Sequence, residues 1–190
     1  MSMPARTPKR RRILTPPPRP WTRADLARLP DDGNRYEVLD GALLVTPQAS
    51  FAHQRVAFRL AVALEAYCQA HGLGIVVAPG AVPHGKSELQ PDVQVIPGAP
   101  PRDAEWTALP QPIVVVEVLS DSTARRDLGI KRDAYLRWGI PAYWAVDIAA
   151  QRVTVFDAGA PEGRAVGDAL AWQPDASRPA LQLPVAELFA

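Results

Sequence analysis

Cysteine occurs once in this chain, as Cys68, so no disulfide can form within it and a reducing, cytoplasmic setting is the expectation. No apolar run approaches the roughly 18 residues that a membrane-spanning helix needs, so no membrane association is expected. The basic N-terminal residues have no apolar segment behind them, which argues against a secretory signal there. Lysine is scarce: Lys9, Lys86 and Lys131 stand against eighteen arginines. Net charge is nearly absent, at +1, but unevenly spread. Residues 1–20 carry six cations (Arg6, Lys9, Arg10, Arg11, Arg12, Arg19) and no acid. The remaining fifteen Lys and Arg face twenty Asp and Glu, which leaves the body near −5. By charge, that body is not a basic DNA-binding module.

What is present is an ordinary globular balance, 47% hydrophobic and 22% charged over 190 residues, enough for one domain with its own core. Residues 1–20 also hold Pro4, Pro8, Pro16, Pro17, Pro18 and Pro20, which predicts a disordered or extended tail ahead of a single domain over 21–190. The "KRRR" stretch of that tail suits contact with phosphates, and it equally suits a plain solvated segment. Thr22 and Asp25 frame a short helix over 21–29, closed by Pro30. Asp40-Gly41 between strand formers signals a hairpin within 35–47. Val56, Ala57, Leu60, Leu64, Tyr67 and Cys68 recur at helical spacing between Ser50 and Ala70, and Gly72 ends the run. Strands are expected at 74–80, 91–98, 113–120, 142–148 and 152–157, the last two joined as a hairpin. A helix over 122–139 is capped by Ser122 or Thr123 and stopped by Gly139 and Pro141. The closing "LPVAELF" is expected to pack back on the body. These elements predict a mixed central sheet flanked by helices, an α/β or α+β fold.

The strand "IVVVEVLS" reads as buried on both faces, yet Glu117 interrupts its valines. A buried carboxylate needs an arginine, a proton or a metal ion to compensate it. Asp92 heads the strand "PDVQVIP", and neighbouring strands roughly 4.8 Å apart would let the two carboxylates face each other. Two such hard oxygen donors suit Mg²⁺ or Mn²⁺. Each has a plainer reading: Asp92 can begin a strand or cap a turn, and Glu117 can pair with an arginine. Lys131 falls three residues after Leu128, four before Tyr135 and seven before Trp138, which places it on the apolar stripe of its helix. Asp127 lies one turn earlier, so an Asp127–Lys131 pair is the structural alternative. An ammonium beside a metal can steady a scissile phosphate and orient an attacking water.

Asp92 in "PDV", Glu117 in "VEVLS" and Lys131 in "RRDLGIKRDAYLRWGIPAYWAVD" resemble the Uma-type family of putative restriction endonucleases, a branch of the PD-(D/E)XK nuclease superfamily. The likeness runs from "WTRADLARLPDDGNRYEVLDG" to "LPVAELF". It implies a restriction-endonuclease-like mixed sheet and Mg²⁺-dependent (or Mn²⁺-dependent) cleavage of nucleic acid, with DNA as the expected partner. It implies Asp92, Glu117 and Lys131 as catalytic residues, with Asp92, Glu117 and the backbone carbonyl of Val118 on the metal. Leu119 stands where the common superfamily pattern has its lysine; in the resembling family that lysine comes from the following helix. Glu37 and His53 match family positions and are candidates for a supporting shell, as are Gln94 and Asp127. A histidine opening a helix is more often a surface or capping residue, and Trp138, Tyr143 and Trp144 read as core or interface aromatics. Cutting both strands of a duplex needs two sites, hence a homodimer. The alternative is a non-catalytic member that binds nucleic acid or protein on the same fold.

Overall fold

The computed structural model describes residues 16–190; the "KRRR" stretch and most of the expected tail lie outside the described residues. Ordered contacts begin within 16–20: the Arg19 guanidinium donates two hydrogen bonds of 2.8 Å to the Asp25 carboxylate. Asp25 also accepts from the Thr22 N–H and hydroxyl, both at 2.9 Å, and so closes the cap of helix α1 (Arg23–Leu26).

Strands β1 (Arg35–Leu39) and β2 (Ala42–Thr46) form the hairpin expected at Asp40-Gly41. Both turn residues have positive φ, 48° and 87°, which matches the right-handed twist of the strands. A Cβ at position 41 would also meet Pro20 Cβ at 2.8 Å. Gly41→Ala therefore combines backbone strain with a clash. It is expected to cost about 1–3 kcal/mol, a fall in Tm of roughly 5 °C by calorimetry. An unchanged Tm would mean that Pro20 does not pack on the turn.

Helix α2 (Phe51–His71) starts at Ser50, whose hydroxyl accepts from the His53 N–H, and ends at left-handed Gly72. After it come β3 (Gly74–Val77), β4 (Val82–His84), β5 (Ser87–Leu89) and β6 (Val93–Pro97). Next are a 3-10 turn (Trp106–Ala108) and β7 (Val114–Leu119). The sequence expected one helix over 122–139. The structure breaks it into α3 (Ala124–Arg126), a π turn (Asp127–Lys131) and α4 (Arg132–Arg137). The break falls at Gly129, whose φ −112° and ψ −106° lie outside the helical region. Strands β8 (Ala142–Asp147), β9 (Arg152–Asp157), β10 (Ala160–Val166), β11 (Ala169–Trp172) and β12 (Leu181–Pro184) follow, and α5 (Val185–Phe189) closes the chain.

A six-stranded mixed sheet in the order β10-β9-β8-β7-β6-β3 is the spine, with β7 and β8 its parallel pair. A second sheet in the order β2-β1-β5-β4 and a β11-β12 ribbon complete the layers. Alternation along β7 assigns its faces. Val114, Val116 and Val118 pack with Val56, Leu60 and Leu64 of α2 and with Leu183, Val185 and Leu188 of the C-terminal segment. Val115 and Leu119 pack with Leu39, Val82 and Leu89 of the smaller sheet and with Tyr135 and Trp138 after the π turn. Glu117 falls on this second face. The mixed sheet with helices is the expected fold class. Among the described residues, no helix is long and apolar enough to cross a membrane.

Candidate active site

The crossover from β7 to β8 carries Lys131, and the π turn decides where it points. Leu128 was expected to share the inward stripe, but it is 37% exposed and Ile130 points outward as well. The widened turn brings Asp127 and Lys131 inward instead, and Lys131 is only 1% exposed. Its ammonium stands 2.5 Å from Glu117 Oε1, 2.9 Å from Glu37 Oε1 and 3.8 Å from Asp127 Oδ1. Glu117 Oε1 also accepts from the Tyr135 hydroxyl at 3.2 Å, and Glu37 Oε1 accepts from the Gln90 N–H at 2.7 Å. The Asp127 backbone carbonyl accepts from the Tyr143 hydroxyl, which pins the π turn to β8.

Asp92 stands one residue before β6. The antiparallel register pairs Val93 with Val116, so the next step brings Asp92 level with Glu117. Asp92 Oδ1 accepts from the Arg35 guanidinium at 2.9 Å. Its Oδ2 accepts from the Val118 N–H at 2.9 Å and lies 3.1 Å from His53 Nε2. The N–H and C=O of a strand residue point to the same side, so the Val118 carbonyl shares the side of Asp92.

Burial and pairing pull these groups in opposite directions. Burial would raise the Asp92 carboxyl, but the His53 hydrogen bond, the Arg35 charge and the Val118 N–H together bring it down to about 2. Burial pushes Glu117 well above the ordinary carboxylate range against the pull of Lys131, and the charges of Asp92, Asp127 and Glu37 add to the rise. Asp127 is raised by its burial as well. Burial alone would lower Lys131, but Glu117, Glu37 and Asp127 more than reverse that and keep it an ammonium.

Glu37, a candidate from the resemblance, alternates with Tyr36 and Val38 along β1 and faces the site in the structure, fully buried. His53, expected to be more often a surface or capping residue, is buried against Asp92 because the first turn of α2 runs beside the start of β6. Gln94 follows another course: its amide donates to the Ala81 carbonyl at 3.5 Å, apart from the ion cluster. Trp138, Tyr143 and Trp144 are core residues. Sequence reading missed Arg35 and Tyr135. Arg35 lies two residues before Glu37 on the same strand face, a period-2 signal that could have found it.

The Uma2 family, described as putative restriction endonuclease, matches residues 23–186, a span that holds every one of these side chains. The chain belongs to the Uma2 family. A crystal structure described as a putative nuclease belonging to DUF820, from Anabaena variabilis ATCC 29413, shares the fold with a TM-score of 0.72. Identity to it is 18%, over 90% of this chain and 98% of that one. No match is found among the curated proteins. As a Uma2 chain, this protein falls among nuclease-like proteins that usually use divalent metals, and its donor set fits such an ion. Four carboxylates (Glu37, Asp92, Glu117, Asp127) face two permanent cations (Arg35, Lys131), which leaves two negative charges uncompensated when all are ionised. Glu37 Oε2 is buried without a hydrogen-bond partner among the described residues. Hard carboxylate oxygens with that charge deficit are the chemistry Mg²⁺ and Mn²⁺ take. Among the described residues, no three His, Cys, Asp or Glu side chains are already gathered as a metal cage; Arg35, His53 and Lys131 engage the oxygens instead.

Proposed function

We propose that this Uma2 chain hydrolyses phosphodiester bonds in nucleic acid, as a Mg²⁺- or Mn²⁺-dependent DNA endonuclease. The observation that carries the reading is a fully buried ammonium between Glu117 and Glu37, with Asp92 level with Glu117 on the neighbouring strand, in a cluster with more carboxyl groups than permanent cations. Such excess is costly to a fold that does not use it. Asp92, Glu117 and the Val118 carbonyl are the groups to hold the cation. The cation supplies Lewis acidity and neutralises charge at the phosphate. Arg35 and His53 keep Asp92 ionised and oriented. Lys131 presents a fixed positive charge to the phosphate or the attacking water. Glu117, whose burial raises its proton affinity, is suited to take the proton of that water. Cleavage of both strands of a duplex calls for two sites, so the working assembly is a homodimer. The single cysteine, buried in the core, suits the reducing cytoplasm.

Calorimetric titration with Mn²⁺ tests the site without a substrate. The native chain is expected to bind specifically. Asp92→Ala and Glu117→Gln are each expected to bind at least about tenfold more weakly, the order of loss known for perturbed metal sites. One observation favours a second reading: both Asp92 oxygens already have protein partners. A non-catalytic member that binds nucleic acid or protein would keep the ion cluster as internal scaffolding. No specific Mn²⁺ heat from the native chain would put that reading first.

A further inference from the structure

Two recesses meet at Asp92. One is bounded by His53, Val118 and Asp127 and belongs to the site already described. The other is walled by Arg35, Gln48, Gln54, Phe58 and Pro79, and it shares Arg35, Gln48 and Asp92 with the first. Phe58 is 62% exposed, and the core side of α2 is supplied by Val56, Leu60 and Leu64. Its ring therefore stands on the surface between this recess and a neighbouring one lined by Val62, Leu183 and Leu188.

We propose that this second recess is a nucleobase subsite, and that the substrate presents an unpaired base there, one nucleotide from the scissile phosphate. The inference rests on the phosphodiesterase reading and narrows it to single-stranded or locally melted nucleic acid. The recess supplies the three things a flipped or single-stranded base uses: an aromatic face to stack on, amide groups for its polar edge, and a cation for the adjoining phosphate. These are Phe58, then Gln48 and Gln54, then Arg35. A base stacked inside a duplex has no free face for Phe58, so only an unpaired one fits. Charge points the same way. A body near −5 offers no broad positive track for a duplex, whereas one guanidinium beside a stacking ring suffices for a short single strand.

The test compares a labelled oligonucleotide, single-stranded or annealed to its complement, with the full chain and Mn²⁺. The single strand is expected to be cut about tenfold faster or more. Phe58→Ala should lower kcat/KM for it about tenfold, mainly through KM, the order of loss that removal of one stacking ring brings. Phe58→Trp should retain it. Val62→Ala, one turn further along the exposed face of α2 and outside the recess, should leave cleavage as it is. Equal cutting of duplex and single strand with Phe58→Ala at native rate overturns the subsite. So does a change of oligomeric state in Phe58→Ala by light scattering, which would assign Phe51, Phe58 and Val62 to contact with a second copy. A single strand carrying 2-aminopurine separates failure of this inference from failure of the enzymatic reading. Quenching on binding that is lost in Phe58→Ala supports the base subsite even if no bond is cut. Binding without quenching, or no binding, overturns it.

Discussion

Replacing Lys131 by methionine is expected to lower the Tm of the metal-free protein by about 10 °C at pH 7 and by much less at pH 4. Methionine fills similar volume, so the loss is one of charge. Lys131 is the ammonium that Glu117, Glu37 and Asp127 share, at 2.5, 2.9 and 3.8 Å. Without it, each carboxyl must remain ionised in a buried site or take up a proton. Protonation at pH 7 of a group with an ordinary pKa near 4.5 costs about 3 kcal/mol, and breaking a buried pair typically costs about 3–5 kcal/mol. Roughly 2–4 °C per kcal/mol in a chain of this size gives the expected shift. The sign with pH follows from linkage. Burial already raises Glu117 and Asp127 in the native fold, and loss of the ammonium raises them further, so below the unfolded pKa both states are protonated and the deficit vanishes. It grows as pH rises above about 4. A Tm within a degree or two of native at pH 7 would show that Lys131 does not neutralise the cluster. On the proposed function, the same variant cuts no nucleic acid.

The site was legible where residue type conflicted with local pattern. Glu117 stands among valines, and Lys131 stands in a chain that otherwise uses arginine. Both conflicts mark buried charge, and the structure places both residues in one cluster. The hairpin at Asp40-Gly41 and the limits of α2 were legible because turn and cap chemistry is local. The π turn was not. A regular helix and a widened one share the same residue preferences, and what selects the latter here is tertiary: Lys131 inside with three acids, and Tyr143 bonded to the Asp127 carbonyl. Arg35 was hidden for a related reason, and His53 stood out only through the family resemblance. Each is ordinary in its own element, a strand start and a helix start, and gains meaning only when folding sets both against Asp92. The β4–β5 hairpin escaped notice because its strands are three residues each and one contains Pro83.

Glu117→Gln is expected to move stability and activity in opposite directions. On the proposed function, cleavage should fall more than about 100-fold, because the substitution would remove a cation ligand and the group suited to accept the water proton. The metal-free fold should become steadier at pH 7 by about 1 kcal/mol or more, a rise of roughly 2–4 °C in Tm. Burial holds the Glu117 carboxyl well above its ordinary range, so above about pH 4.5 the unfolded chain ionises freely while the folded chain resists. Native stability contributed by this group therefore falls as pH rises towards its folded pKa, and glutamine removes that slope. At pH 4 the two proteins should melt together. The variant keeps an amide oxygen for the Tyr135 hydroxyl, and Lys131 keeps Glu37 and Asp127. A drop in Tm at pH 7 would instead identify Glu117 as half of a structural ion pair and favour the non-catalytic reading. Saturating Mn²⁺ should reverse the order. At one hundred times its Kd a ligand bound only to the folded state adds about 2.7 kcal/mol. A variant that binds tenfold more weakly gains only about 1.4 kcal/mol at the same concentration, so a variant steadier by about 1 kcal/mol when empty becomes the less stable of the two. Such a reversal requires that the carboxylate destabilising the empty fold be the one that recovers the cost when the cation binds, which a purely structural glutamate cannot do.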